Sequence, residues 1–137
     1  MQQWISAIIE VINASDLQAT MGAAPQVFLD IAPAAATLPL VVVTAKTSVV
    51  THDLALNRYT TAEAQIAVYS PTLALALAGA QVLQAALDMA SFAVVGGTLL
   101  NNRTTPSPMG SAGAMDGQSE PVYAVTLGVQ GVIFEPR

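Results

Sequence analysis

The chain contains no cysteine and one histidine, His52, in 137 residues. Disulfide scaffolds, thiolate metal sites and cysteine nucleophiles are therefore excluded. Charge is scarce as well: Asp, Glu, Lys and Arg make up 9% of the chain, against about 25% in ordinary soluble proteins. Four Lys and Arg stand against nine Asp and Glu, a net charge of −5. That balance ill suits a protein that grips nucleic acid, whose affinity comes mainly from neutralised phosphates. Lys46, Arg58, Arg103 and Arg137 are too spread to form a basic patch. Tyr59, Tyr69, Phe92, Tyr123 and Phe134 read as sheet-packing residues rather than platforms for stacked bases.

Apolar residues, by contrast, make up 53% of the chain. The length predicts one domain, 1–137, with a sizeable core. A folded monomer of this mass exposes roughly 6,700 Å², about one charge per 500 Å². So bland a surface predicts that part of it is covered by other subunits. The opening MQQWISAIIEVINAS has no basic segment or cleavage signal, so no targeting segment is expected. The apolar stretch from Thr72 to Ala90 is long enough to span a bilayer. It holds Gln81, Gln84 and Asp88, is built largely from Ala, and has no flanking Lys or Arg. A buried helix and no membrane association is the preferred reading.

Trp4, Ile5, Ile8, Ile9, Val11 and Ile12 have helical spacing over Gln2 to Asn13. Asn13 to Gly22 reads as a small, polar stretch, Gln26 to Ile31 as a short strand, and Ala32 to Pro39 as a loop. Leu40 to Val50 is β-branched with period two. Leu40, Val42, Thr44, Lys46 and Ser48 would share one face, and Val41, Val43, Ala45, Thr47 and Val49 the other. Thr51 to Asn57 reads as a turn. Arg58 to Tyr69 returns with Ala62, Ala64, Ile66 and Val68 inward, completing an antiparallel hairpin. Ser70 as cap and Pro71 at the first position predict a helix to about Met89. Ser91 to Asn101 is another strand-like run, in which Gly96-Gly97 marks a bulge or a close backbone approach. Arg103 to Ser119, rich in Pro, Gly, Ser and Ala, reads as a long mobile loop. Pro121 to Phe134 is the closing strand, with Gly128 and Gly131 letting it bend. The expected fold is α+β, two helices on an antiparallel sheet in the order α-β-β-β-α-β-β.

Chemistry is hard to find. His52 and Asp53 are sequence neighbours that seldom face each other, so no catalytic site is assigned. Asp30, Asp53, Glu63 and Asp88 show no pairing for acid–base work. Metal-ligand spacing is missing, and Gly110, Gly113 and Gly117 precede no helix, so no metal or cofactor is expected. An enzyme is not expected. Trp4 reads as an anchor between the first helix and the sheet, and Lys46 with Glu63 as a surface pair worth under about 1 kcal/mol.

The order of segments is more informative than any one of them. Leu38-Pro39-Leu40-Val41-Val42, then Gln65-Ile66-Ala67-Val68-Tyr69, then the Ala/Leu helix 71–89, resembles the tail-completion family of long-tailed bacteriophages and gene transfer agents. Its members are tail-terminator, or head-to-tail joining, proteins. The resemblance covers nearly the whole chain, although the helix carries fewer charges than is common in the family and the 103–119 loop is long. It implies a structural virion protein forming a six-fold homo-oligomeric ring on the head-proximal end of the tail tube. The ring would stop tube polymerisation and join the tail to head-completion or connector proteins. Genomic DNA would pass the lumen without specific binding, in keeping with the negative charge. Location would be the virion tail, and the host cytoplasm during assembly. The 103–119 loop, with Arg103, Pro106, Pro108, Met109, Met115 and Asp116, is the candidate docking element for tube or connector. A tail-tube or other neck ring protein, and more distantly a small ligand-binding α+β module, remain as alternatives.

Overall fold

Trp4, Ile5, Ile8 and Ile12 wind onto one stripe of helix α1 (Gln2–Ala14), and all four are buried. In the computed structural model, residues 2–22, 25–30, 38–88, 92–94, 96–104, 109–113 (backbone) and 122–136 are described. The small, polar stretch expected after α1 contains a second, short helix, α2 (Leu17–Met21). Its two apolar residues lie four apart and are both buried, enough to dock one turn that periodicity is too short to reveal.

Strands β1 (Gln26–Leu29), β2 (Leu40–His52) and β3 (Arg58–Ser70) follow. The antiparallel β2–β3 hairpin forms as expected, with Leu40 opposite Tyr69. Thr51 and His52 belong to the ladder, opposite Tyr59 and Arg58, so the turn is confined to 53–57. Strict alternation along β2 fails, because a bulge lies between Ala45 and Ser48. One extra residue shifts the phase. Val49, opposite Thr61, thus joins the face of Leu40, Val42 and Thr44 instead of the opposite one. β1 runs parallel to β2, a departure from an all-antiparallel sheet. Of the loop expected over Ala32 to Pro39, residues 32–37 lie outside the described residues.

Helix α3 (Leu73–Leu87) is capped by Thr72, whose Oγ1 accepts the Leu75 N–H at 3.3 Å. Ser70, the expected cap, is instead the buried last residue of β3 and accepts the Thr72 N–H at 3.4 Å. The expected end at Met89 lies outside the described residues. Ala76, Gly79, Ala80, Leu83 and Leu87 form the buried stripe of α3. Small residues at its start let the helix approach closely: a Cβ on Gly79 would lie 3.0 Å from Met21 Sδ. No helix among the described residues is long and apolar enough to cross a membrane.

β4 (Thr98–Thr104), β5 (Met109–Gly113) and β6 (Val122–Glu135) close the chain. The stretch expected to be a loop therefore holds a strand: β5 pairs antiparallel with 122–126 of β6, and Arg103 and Thr104 belong to β4. Backbone pairing along an existing strand needs no large side chains, so composition does not announce it. Gly97 marks a close backbone approach, as its position suggests, because a Cβ there would lie 2.8 Å from Ile133 Cγ2. The sheet order is β1-β2-β3-β6-β4, with β5 also on β6. The chain is a single α+β domain, its helices packed on one face of the sheet.

That face holds the main core. Val41 and Val43, the inward residues of β3, and Val125, Leu127, Val129 and Ile133 of β6 meet the helical stripes. Each full burial of this kind contributes about 1.5–3 kcal/mol. Trp4 lies over Gly131, and its Nε1 donates to Asn102 Oδ1 at 3.2 Å, so the anchor role is the observed one. Asn102 Nδ2 donates in turn to the Leu87 carbonyl at 2.7 Å. Asp88 is equally committed, accepting the Thr104 N–H at 2.9 Å. These bonds tie the end of α3 to edge strand β4.

Candidate interaction surface

Among the described residues the other face of the sheet carries no helix, and the register fixes what it displays. At one end Phe28, Val42, Ala67 and Thr126 form a rung, beside which Leu40, Tyr69 and Ala124 form a second. Leu40 and Val42 are buried there in a small second cluster with Phe28, Leu38 and Tyr69. The middle is polar: Glu63, Gln130 and Arg103 align across β3, β6 and β4, with Lys46 at the bulge of β2. At the far end Tyr59 and Phe134 pack at 5.2 Å with their rings inclined by 53°. Gly128 opens a shallow depression of about 680 Å³ in the middle, flanked by Lys46 and Arg103. Glu63 does not form the expected pair with Lys46; its Oε2 takes the Thr47 hydroxyl at 3.4 Å. The ion pair among the described residues is Arg58 with Glu135, 3.8 Å apart and partly exposed, worth under about 1 kcal/mol.

Beyond Val43 the outer edge of β2 has no strand beside it among the described residues, and residues 45–52 are exposed. This far half of β2 and its turn form an edge arm, while β3 stays paired with β6 as far as Arg58. Its turn is braced by one side chain: Asp53 accepts from Ala55 N at 2.9 Å, Asn57 N at 3.0 Å, Asn57 Nδ2 at 3.0 Å and the Tyr59 hydroxyl at 3.3 Å. This bracing holds Leu56 at φ +65°, a left-handed conformation that a leucine adopts at a cost. Outward from the turn point Leu54, at 105% exposure, and Leu56. A braced turn thus presents two exposed leucines, which its composition alone does not reveal.

The Asn57 side chain, foremost, holds the Asp53 carboxyl below its ordinary value, aided by the N–H groups of Asn57 and Ala55 and by Tyr59 and opposed by desolvation. Desolvation, then the Asp53 charge, pushes the Tyr59 hydroxyl up. A depressed carboxyl stabilises the turn fully above the ordinary carboxylate range and loses that contribution as pH falls through the lowered value. Protection of the Ala55 and Asn57 amides, corrected for intrinsic exchange, is expected to fall over that acid window. Asp53→Ala should remove it already at neutral pH, while protection in the centre of β3 stays unchanged.

His52 ends β2, and Asp53 turns to the turn backbone rather than to the imidazole. No three His, Asp or Glu gather into a metal-holding group among the described residues. Of the sequence-selected docking residues, Arg103 lies exposed on β4 beside the central depression, and Met109 begins β5. Pro106, Pro108, Met115 and Asp116 lie outside the described residues.

A solved chain is similar in fold over nearly its whole length. It belongs to a structure described as the virion of a native gene transfer agent (GTA) particle. The TM-score is 0.69 at 18% identity, covering 95% of this chain and 93% of that one. At that identity the likeness is one of fold. No protein-family model and no curated protein matches the sequence.

Proposed function

We propose that this chain is a structural virion protein of a phage or gene transfer agent. It forms a ring at the head-proximal end of the tail tube, stops tube growth and joins the tail to the head or neck. The observation that carries the reading is the end-to-end likeness in fold to a chain of a gene transfer agent virion. The segment order Leu38–Val42, Gln65–Tyr69 and the helix after it supports the tail-completion role. The sparse charge, a sheet face without a helix among the described residues and the exposed far edge of β2 support extensive contacts with other subunits. With a net charge of −5, genomic DNA would slide through such a ring without adhering.

Electron microscopy of particles assembled with this chain tests the reading. A single ring at the junction of tube and neck is expected. Copies stacked along the tail would make it a tube protein, and absence from particles would return the chain to a ligand-binding module. The segment around β5 is the proposed docking element for tube or connector. Deleting residues 106–117, which removes β5, should leave tails of irregular length that fail to join heads. Normal tails and normal joining in the deletion would rule the docking role out.

A further inference from the structure

The β2 edge of the arm has a defined polarity. Val43 turns its carbonyl to Asp30 N at 2.9 Å, away from β3. Outward and inward groups alternate along an antiparallel ladder, and the bulge adds one residue. The outward groups therefore pass to Ser48, Val50 and His52, and the inward Asp53 N–H, bonded to Asn57 O at 3.1 Å, agrees. From Ser48 to His52 no proline and no Lys, Arg, Asp or Glu guards this edge, although monomeric proteins commonly place such residues there. Val49 is 60% exposed and Val50 40%.

A second edge lies across the same sheet. Among the described residues β4 ends the strand order; its Thr104 N–H is taken by Asp88, and its Leu100 is 55% exposed. Strand directions alternate from β2 through β3 and β6 to β4, each pair antiparallel. A neighbour's β2 set beside β4, with its open face turned the same way, continues that alternation. We infer that the arm's edge pairs antiparallel with β4 of a second copy of this chain, extending one sheet across the subunit boundary, head to tail. This rests on the ring reading above and names the contact that would build the ring. A foreign peptide on either edge would leave the other unpaired, whereas a copy satisfies both and places Val49 and Val50 near the neighbour's Leu100. Strand pairing alone falls short of the roughly 800 Å² per partner of a stable interface. Leu54 and Leu56 at the arm's tip supply further apolar area on the same neighbour. Such a contact is heterologous, and it closes into a ring when the rotation allows.

The test uses Val50→Pro and a cysteine pair. Proline at 50 removes an outward N–H and leaves the β2–β3 ladder whole. Light scattering of the purified chain is expected to give a multimer that falls to monomer mass in Val50→Pro, with unchanged circular dichroism. The chain has no native cysteine, so Val49→Cys combined with Asn101→Cys, both on the open face, gives a clean background. Oxidation should yield a covalent ladder from the double variant and none from Val49→Cys alone. Multimers of Val50→Pro, or wild-type-sized multimers of the double variant that never cross-link, overturn the edge pairing and leave the ring reading standing. A chain that stays monomeric and never cross-links overturns it too. Whether the ring reading falls with it is decided separately by particle imaging. If Val50→Pro fails to fold, the cross-linking arm alone decides.

Discussion

Gly131→Ala is expected to cost about 2–6 kcal/mol of folding stability. A Cβ at 131 would lie 2.5 Å from Trp4 Nε1 and 2.7 Å from Trp4 Cε2, closer than real side chains pack. The indole is fully buried, so moving it aside disturbs packed neighbours. Overpacking of this kind costs about 1–3 kcal/mol. Displacing the ring also breaks its bond to Asn102, stranding buried polar groups at a further cost of about 1–3 kcal/mol. Against a total of about 5–15 kcal/mol for a domain, that loss is large. Chemical denaturation should show a lower midpoint with an unchanged slope. Adding Trp4→Phe, which shortens the ring, should recover part of the loss. A fall below about 1 kcal/mol would mean that strand and indole are less tightly apposed than the geometry requires.

Asn102→Leu should be comparably damaging, at about 2–6 kcal/mol, although it keeps the number and branching of the side-chain heavy atoms. Asn102 is fully buried and accepts from Trp4 while donating to the last carbonyl of α3. Helix ends leave carbonyls without intrahelical partners, and here the edge strand supplies one. Leucine leaves the Trp4 N–H and the Leu87 carbonyl both buried and unpaired. Removing both partners of a bond costs less than removing one. Trp4→Phe with Asn102→Leu should therefore be milder than the sum of the single losses, and a double-mutant cycle measures the difference. Additive losses would show that Trp4 and Asn102 act independently. Amide exchange should report fraying at the end of α3 in Asn102→Leu, because this bond joins the helix to β4.

The sequence showed much of this frame. Ala62, Ala64, Ile66 and Val68 alternate without interruption and are buried as read. The helical stripe of α1 was equally plain, and so was the hairpin. Less of the candidate surface was legible. Arg103 was singled out and does sit beside the open depression, but for its place in a supposed loop rather than in a strand. The leucine-bearing turn at 53–57 read as a polar connection, because Asp53 and Asn57 are turn residues wherever they occur. That they brace Leu54 and Leu56 for display needs the hydrogen-bond geometry.

By itself the sequence determined whatever is periodic and local: the buried stripes of α1 and the alternation of β3. Neighbouring residues enforce these through backbone geometry. The tertiary structure alone decided what depends on distant partners. Gly131 reads as a bend in a strand until Trp4 is seen above it, and nothing in the sequence singles out Asn102 until its bonds to Trp4 and Leu87 are traced. The bulge in β2 shifts its phase by one residue, and β5 forms on the edge of β6 by backbone bonds that any composition can supply. Such features arise where segments far apart in the chain meet, and no single window of residues contains both partners.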